Sequence, residues 1–142
     1  MIIVGSDHGG LDLKNSIIPY MKELGYEVQD LGTYTSDSVD YPDIAKKVCA
    51  ALTKEDIGIL VCGTGIGISI AANKIKGIRA ALCSDVFSAQ MAREHNDANV
   101  ICLGGRVLED EDAFAILDSF FETTFAGGRH AGRVQKIMDL EC

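Results

Sequence analysis

Two kinds of apolar run alternate along this chain. Short blocks rich in Ile, Val and Leu at residues 1–5, 57–61, 77–83 and 100–103 read as strands, and the alternating YEVQDL at 26–31 reads as another. Between them the apolar positions take helical spacing. One such face runs through Leu13, Ile17, Tyr20, Met21 and Leu24 to Gly25, with Pro19 inside it predicting a kink. A second follows Pro42 with Ile44, Ala45, Val48, Cys49 and Leu52. Others run from Val86 to Glu94, closed by His95-Asn96-Asp97, over 110–123, and after Gly127-Gly128 through Val134, Ile137, Met138 and Leu140. Strand and helix alternate five times, which predicts an α/β fold. The expectation is a Rossmann-like three-layer sandwich, a five-stranded parallel sheet with helices on both faces. Residues 1–142 form one domain, with 127–142 a C-terminal helix whose apolar stripe packs on its own domain or on a partner.

The chain is organised around residues 57–73, IGILVCGTGIGISIAAN. A buried strand breaks into Gly63, Gly65 and Gly67, and a helix starts behind them. Glycines there admit positive φ and let a ligand approach the main chain. The N–H groups of the new helix's first turn favour negative charge. Cys62 ends the strand beside those dipoles, a placement that favours the thiolate. Taken alone, each feature has a plainer reading as an ordinary strand-to-helix turn and a small buried hydrophobe.

In a parallel sheet the loops that follow the strands share one edge, where ligands bind at the point of strand-order reversal. That edge is expected to hold Asp7 and His8, Cys62 with its glycine loop, Ser84 and Asp85, and Arg106. Asp40 and Tyr41 reach the same rim from the long loop at 32–40. His95 and Asn96 precede the fifth strand and so fall at the opposite edge, about 15–20 Å away. They serve either as an ordinary helix end or as a contribution to a neighbouring subunit's site. Arg129 and Arg133 lie four apart with His130 between them, and two guanidinium forks on one helix face suit a phosphate.

A formal net charge of −8 argues against nucleic acid or a membrane surface as partner and leaves room for a small anion gripped locally. Cysteines 49, 62, 83, 102 and 142 show no metal-ligand spacing. The chain opens directly in a strand-like run with no signal-type region, and a reducing cytoplasm fits these features. Gly63-x-Gly65 with Asp85 downstream raises a nucleotide-binding module as a rival, but Ile68 stands where the dinucleotide fingerprint needs its third glycine.

Several co-ordered motifs then carry a resemblance over almost the whole length: SDHGG at 6–10, DYP at 40–42, CGTGIGISIAANK at 62–74, HNDANV at 95–100, GGR at 104–106 and GGRHAGRV at 127–134. The chain closely resembles the type B ribose-5-phosphate isomerases, in the sugar-phosphate isomerase family that includes galactose-6-phosphate isomerase subunits. The resemblance implies interconversion of ribose 5-phosphate and ribulose 5-phosphate with no metal or other cofactor. It implies Cys62 as the base, and His95 with Thr64 as the pair that opens the sugar ring. The cis-enediolate would be held by N–H groups of Gly63, Gly65, Ile66 and Gly67 and by Asn96. Asp7, Asp40 and Tyr41 are implied contacts of the sugar hydroxyls. His8, Arg106, Arg129, His130 and Arg133 are the implied surroundings of the phosphate. A homodimer with shared sites is implied, or a dimer of such dimers. The sugar stays open among ribose 5-phosphate, a hexose 6-phosphate and a free rare aldose such as allose.

Overall fold

Three of the expected strands are apolar at nearly every position, and they become the centre of the sheet because both of their faces must be covered. The computed structural model describes residues 1–141. Strands β1 (Ile2–Ser6), β2 (Val28–Asp30), β3 (Ile57–Cys62), β4 (Ala80–Leu82) and β5 (Val100–Gly104) form one parallel sheet in the order β2-β1-β3-β5-β4. The helices are α1 (Leu11–Glu23), α2 (Tyr41–Ala51), α3 (Ile66–Asn73), α4 (Val86–Asn96), α5 (Asp110–Glu122) and α6 (Arg129–Met138).

Strand alternation sends Ile2, Val4, Ile59, Val61, Ile101 and Leu103 to one face, where they pack with Ile17 and Met21 of α1, Ala89 of α4, and Leu117 and Phe120 of α5. Ile3, Leu60, Cys62, Val100 and Cys102 take the other face, under Val48 of α2 and Ile68 and Ala72 of α3. The expected three layers are therefore present. The chain leaves β1 for β2 on one side and returns past β1 to β3, so strand order reverses between β1 and β3.

Two expected strands are shorter than their sequence pattern. Gly25 ends α1 as expected, at φ 100, but Tyr26 also closes the helix instead of opening β2, donating to the Met21 carbonyl. Residues 77–79 turn before β4, where the Arg79 N–H donates to the Asn99 side chain. α1 runs on through Pro19, the position where the sequence predicts a kink. Asn15 and Pro19 both face solvent, so the carbonyl that loses its donor meets water.

A fully buried ammonium group interrupts the core. Lys14 is fully buried on α1, and its Nζ donates to both oxygens of Asp30 at 2.6 and 2.7 Å. Asp30 Oδ1 also accepts from the Gly32 N–H, so the pair fixes the end of β2 to the loop that leads toward Tyr41. Asp30→Asn leaves the ammonium buried without a counter-charge and should lower the unfolding free energy by about 3–5 kcal/mol. Lys14→Met leaves a carboxylate that water can reach and should cost less. Urea denaturation of the two variants checks that order.

Candidate active site

The loops at the C-terminal edge of β1, β3 and β5 are drawn together by backbone contacts. Gly105 N–H donates to the Cys62 carbonyl at 2.8 Å, Arg106 N–H to the Gly63 carbonyl at 2.9 Å, and Asp7 N–H to the Val61 carbonyl at 3.2 Å. Cys62 sits at the centre, 4 % exposed, and its Sγ accepts the Gly65 N–H at 3.1 Å. An N–H aimed at the sulfur stabilises negative charge there. Gly65 holds φ 79 as the N-cap of α3 and brings no side-chain acceptor, which leaves first-turn N–H groups of α3 open toward the loop. Thr64 turns its Oγ1 onto the Ile66 N–H at 3.2 Å.

The neighbours of Cys62 match the expected list in part. The Arg106 guanidinium lies across Gly63, with Nη1 3.1 Å from where a Cβ on that glycine would stand. Asp7 is buried, and its Oδ1 caps the short turn His8–Gly10 through the Gly10 N–H at 3.1 Å. His8 Nδ1 accepts the Val39 N–H at 3.3 Å, which assigns the ring proton to Nε2 and draws the segment before Asp40 to the rim. The Tyr41 ring stands against Gly67, within 2.6–2.8 Å of where a Cβ there would be. Asp85 instead caps α4, accepting the Ser88 N–H at 2.7 Å, so its exposed carboxylate is spent on the helix and held below the usual range.

His95, Asn96, Arg129, His130 and Arg133 are not brought to Cys62 within one chain. In register, Cys62 pairs with Gly104 and Gly58 with Val100, so the entry to β5 lies four residues back along the sheet, about 13 Å. His95 and Asn96 end α4 beyond that point. There His95 meets α6: its ring stacks on His130 with centroids 4.2 Å apart and planes 12° from parallel. Thr64 and His95, the implied ring-opening pair, therefore sit at opposite edges. A cavity of about 750 Å³ opens beside Asn96, lined also by Lys74, Arg79, Ile78 and Leu140, and it does not include Cys62. Among the described residues, none of Arg106, Arg129 and Arg133 pairs with a carboxylate, although the chain is strongly acidic.

The histidine stack and the Lys14–Asp30 anchor escaped the sequence reading. Four-residue spacing had placed Arg129 and Arg133 on one face but said nothing of what His130 would touch. Lys14, lying between Leu13 and Ile17 on an otherwise apolar face, was the available sign of a buried charge.

With this geometry in view, the model of the Ribose/Galactose Isomerase family matches residues 2–137. The chain belongs to that family. Ribose-5-phosphate isomerase B of Escherichia coli is 47% identical over 142 residues, covering 99% of this chain and 95% of that protein. A solved ribose-5-phosphate isomerase B from Clostridium thermocellum superposes with a TM-score of 0.95 at 52% identity, covering 98% of this chain and 95% of its own. One from Mycoplasma genitalium, with ribulose-5-phosphate bound, gives 0.94 at 43% identity and covers 97% of this chain and 93% of its own.

Gly65→Ala tests the loop. Its Cβ would stand 2.6 Å from Leu82 Cδ1 and 2.9 Å from the Leu103 backbone, at a φ that side chains rarely adopt. The variant should lose more than about 1 kcal/mol of stability along with the loop geometry, read by thermal melting and by any site assay. The other described cysteines behave as core. Burial pushes the Cys49 and Cys83 thiols up to about 11, with Asp85 adding to Cys83, and raises Cys102 well above its ordinary value. Above pH 9 the unfolded chain loses thiol protons that the folded chain keeps, so stability should fall as pH rises from 9 to 11. Denaturant midpoints across that range check the sign.

Proposed function

We propose that this chain is an aldose–ketose isomerase that interconverts D-ribose 5-phosphate and D-ribulose 5-phosphate through a cis-enediolate. The observation that carries the reading is Cys62 Sγ at the end of β3, receiving the Gly65 N–H beneath an open helix start and beside an unpaired Arg106. Family membership, and the ribulose-5-phosphate bound to the M. genitalium relative, support the substrate.

The chemistry needs a base that removes the C2 proton α to the aldehyde and returns it to C1, with donors for the enediolate between the two steps. Cys62 as thiolate fills the first role, and the loop from Gly63 to Gly67 would turn its N–H groups to the developing oxyanion, those of Gly65 and Ile66 first leaving Cys62 Sγ and Thr64 Oγ1. Asp7, Asp40 and Tyr41 orient the hydroxyl groups, while His8 Nε2–H and Arg106 meet the phosphate.

Ring opening and the remaining phosphate contacts come from a second copy. His95 of the partner subunit would protonate the furanose ring oxygen beside Thr64, Asn96 of the partner subunit would donate to the enediolate, and the partner's Arg129 and Arg133 would close around the phosphate. Exposed apolar side chains support the pairing of subunits. Ile66 and Ile70 are 51% and 57% exposed on one face of α3, and Leu82, Phe87 and Val107 are exposed as well. The reading assigns the protein to the pentose phosphate pathway in the cytoplasm, as a homodimer or a dimer of dimers.

The deciding assay follows ketose formation from ribose 5-phosphate in excess EDTA, with allose 6-phosphate and galactose 6-phosphate alongside. Turnover of ribose 5-phosphate is expected. Turnover of a hexose phosphate alone would change the sugar, and silence on all three would overturn the reading in favour of a binding module. Cys62→Ala should lower kcat by about 10²–10⁴-fold with the fold intact. Mixing Cys62→Ala with His95→Ala protein should recover about a quarter of wild-type activity, because half of randomly paired dimers carry one intact site. No recovery after demonstrated subunit exchange would remove the shared site.

A further inference from the structure

We propose that His130 is a positioning residue for His95, holding the ring-opening imidazole by face-to-face stacking, and is not a ligand of the phosphate. The inference rests on the isomerase reading above and gives His130 a role other than the phosphate contact that the resemblance implies.

Two fixed points bring His130 over His95. The Ala126 N–H donates to the Glu94 carbonyl at 3.0 Å, tying the connector to the last turn of α4 beside His95. Gly127 and Gly128, at φ 66 and 55, then turn the chain so that the His130 N–H donates to the Gly127 carbonyl and α6 begins. The rings meet at 4.2 Å and 12°, so the facing surfaces of both are occupied and the ring edges remain free. No residue of α6 is buried in its own domain. The helix is otherwise held at its far end, where Arg79 Nη1 donates to Met138 Sδ at 3.3 Å and the Gly77 N–H to Glu141 Oε1 at 2.7 Å. The stack therefore fixes the first turn of α6 and the His95 ring together.

Charge favours the same division of labour. Two imidazolium rings in face contact repel, so the pair is suited to one proton. Partial burial first, then His95, Arg129 and Arg133, hold His130 below its ordinary value, while Glu94 alone pulls it upward. That direction favours the neutral form of His130, which offers an aromatic face to its neighbour.

The sugars themselves separate the two roles. Ribose 5-phosphate closes to a furanose and must be opened. Ribulose 5-phosphate has its 5-oxygen esterified, cannot close, and meets the base directly. Turnover from ribose 5-phosphate is compared with exchange of the ribulose 5-phosphate C1 proton into deuterium oxide, for wild type, His130→Ala and His130→Phe. We expect His130→Ala to lower kcat from ribose 5-phosphate by about tenfold with KM nearly unchanged, and to leave C1 exchange close to wild type. His130→Phe, which keeps a ring to stack, should restore most of the forward rate. A rise in KM for both sugars, with Phe no better than Ala, would make His130 a phosphate ligand and overturn the proposal. Equal loss in both assays, or no loss in either, would overturn it as well. If wild type neither turns over ribose 5-phosphate nor exchanges the C1 proton, the isomerase reading itself fails.

Discussion

Three loops meet at the C-terminal edge of the sheet more closely than side chains allow, and the candidate site follows from that contact. A Cβ on Gly10 would stand 2.5 Å from the Val61 carbonyl oxygen, one on Gly105 2.7 Å from that of Gly9, and one on Gly104 2.7 Å from that of Thr64. Glycine at these places is a requirement of packing: backbone lies on backbone, and the chain supplies its own hydrogen bonds across the gaps. The consequence is chemical. Asp7 and His8, Cys62, and Arg106 leave three separate strands, yet the interlocked loops gather them at one place. Lys14 and Asp30 extend the same order outward by anchoring the loop that brings Tyr41 against Gly67.

Parallel strands impose the opposite result on the other half of the constellation. A residue just before a strand and a residue just after its neighbour are separated by the length of the sheet, whatever the helices do. The register of β3 with β5 therefore keeps His95 from Cys62 in a single chain. The unpaired arginines are divided in the same way, Arg106 at one edge and Arg129 with Arg133 near the other. In the proposed homodimer these two groups of arginines would come together around one anion.

Much of this was legible because it depends on period and order. Continuous apolar blocks marked the central strands, helical spacing marked the covering helices, and their alternation set the parallel sheet and the shared edge. The opposite placement of His95 followed from the same logic. What could not be read depends on contacts between distant segments. Short edge strands are set by how far the preceding turns run, as at Gly25 and at Arg79, and periodicity does not record that. Asp85 looked available because strand ends collect ligands, but a helix start also needs an acceptor, and the cap took it. Pro19 stays inside a continuous α1 because, at a solvent-facing position, water replaces the missing donor.

The last helix shows how local weakness becomes useful in the proposed enzyme. An isolated helix of ten residues is marginal in water, and α6 gains no buried side chain from its own domain. Ile137 of this helix, and Leu140 just beyond its end, stay exposed. What holds its first turn is a pair of imidazole rings, one of them the proposed acid. A helix attached in this way cannot set Arg129 and Arg133 firmly by itself, whereas packing against a second subunit would fix the helix, the arginines and the stacked ring at once. Assembly and completion of the site would then be a single event, with the cationic half of the phosphate cradle ordered only where a partner's Cys62 is present to use it.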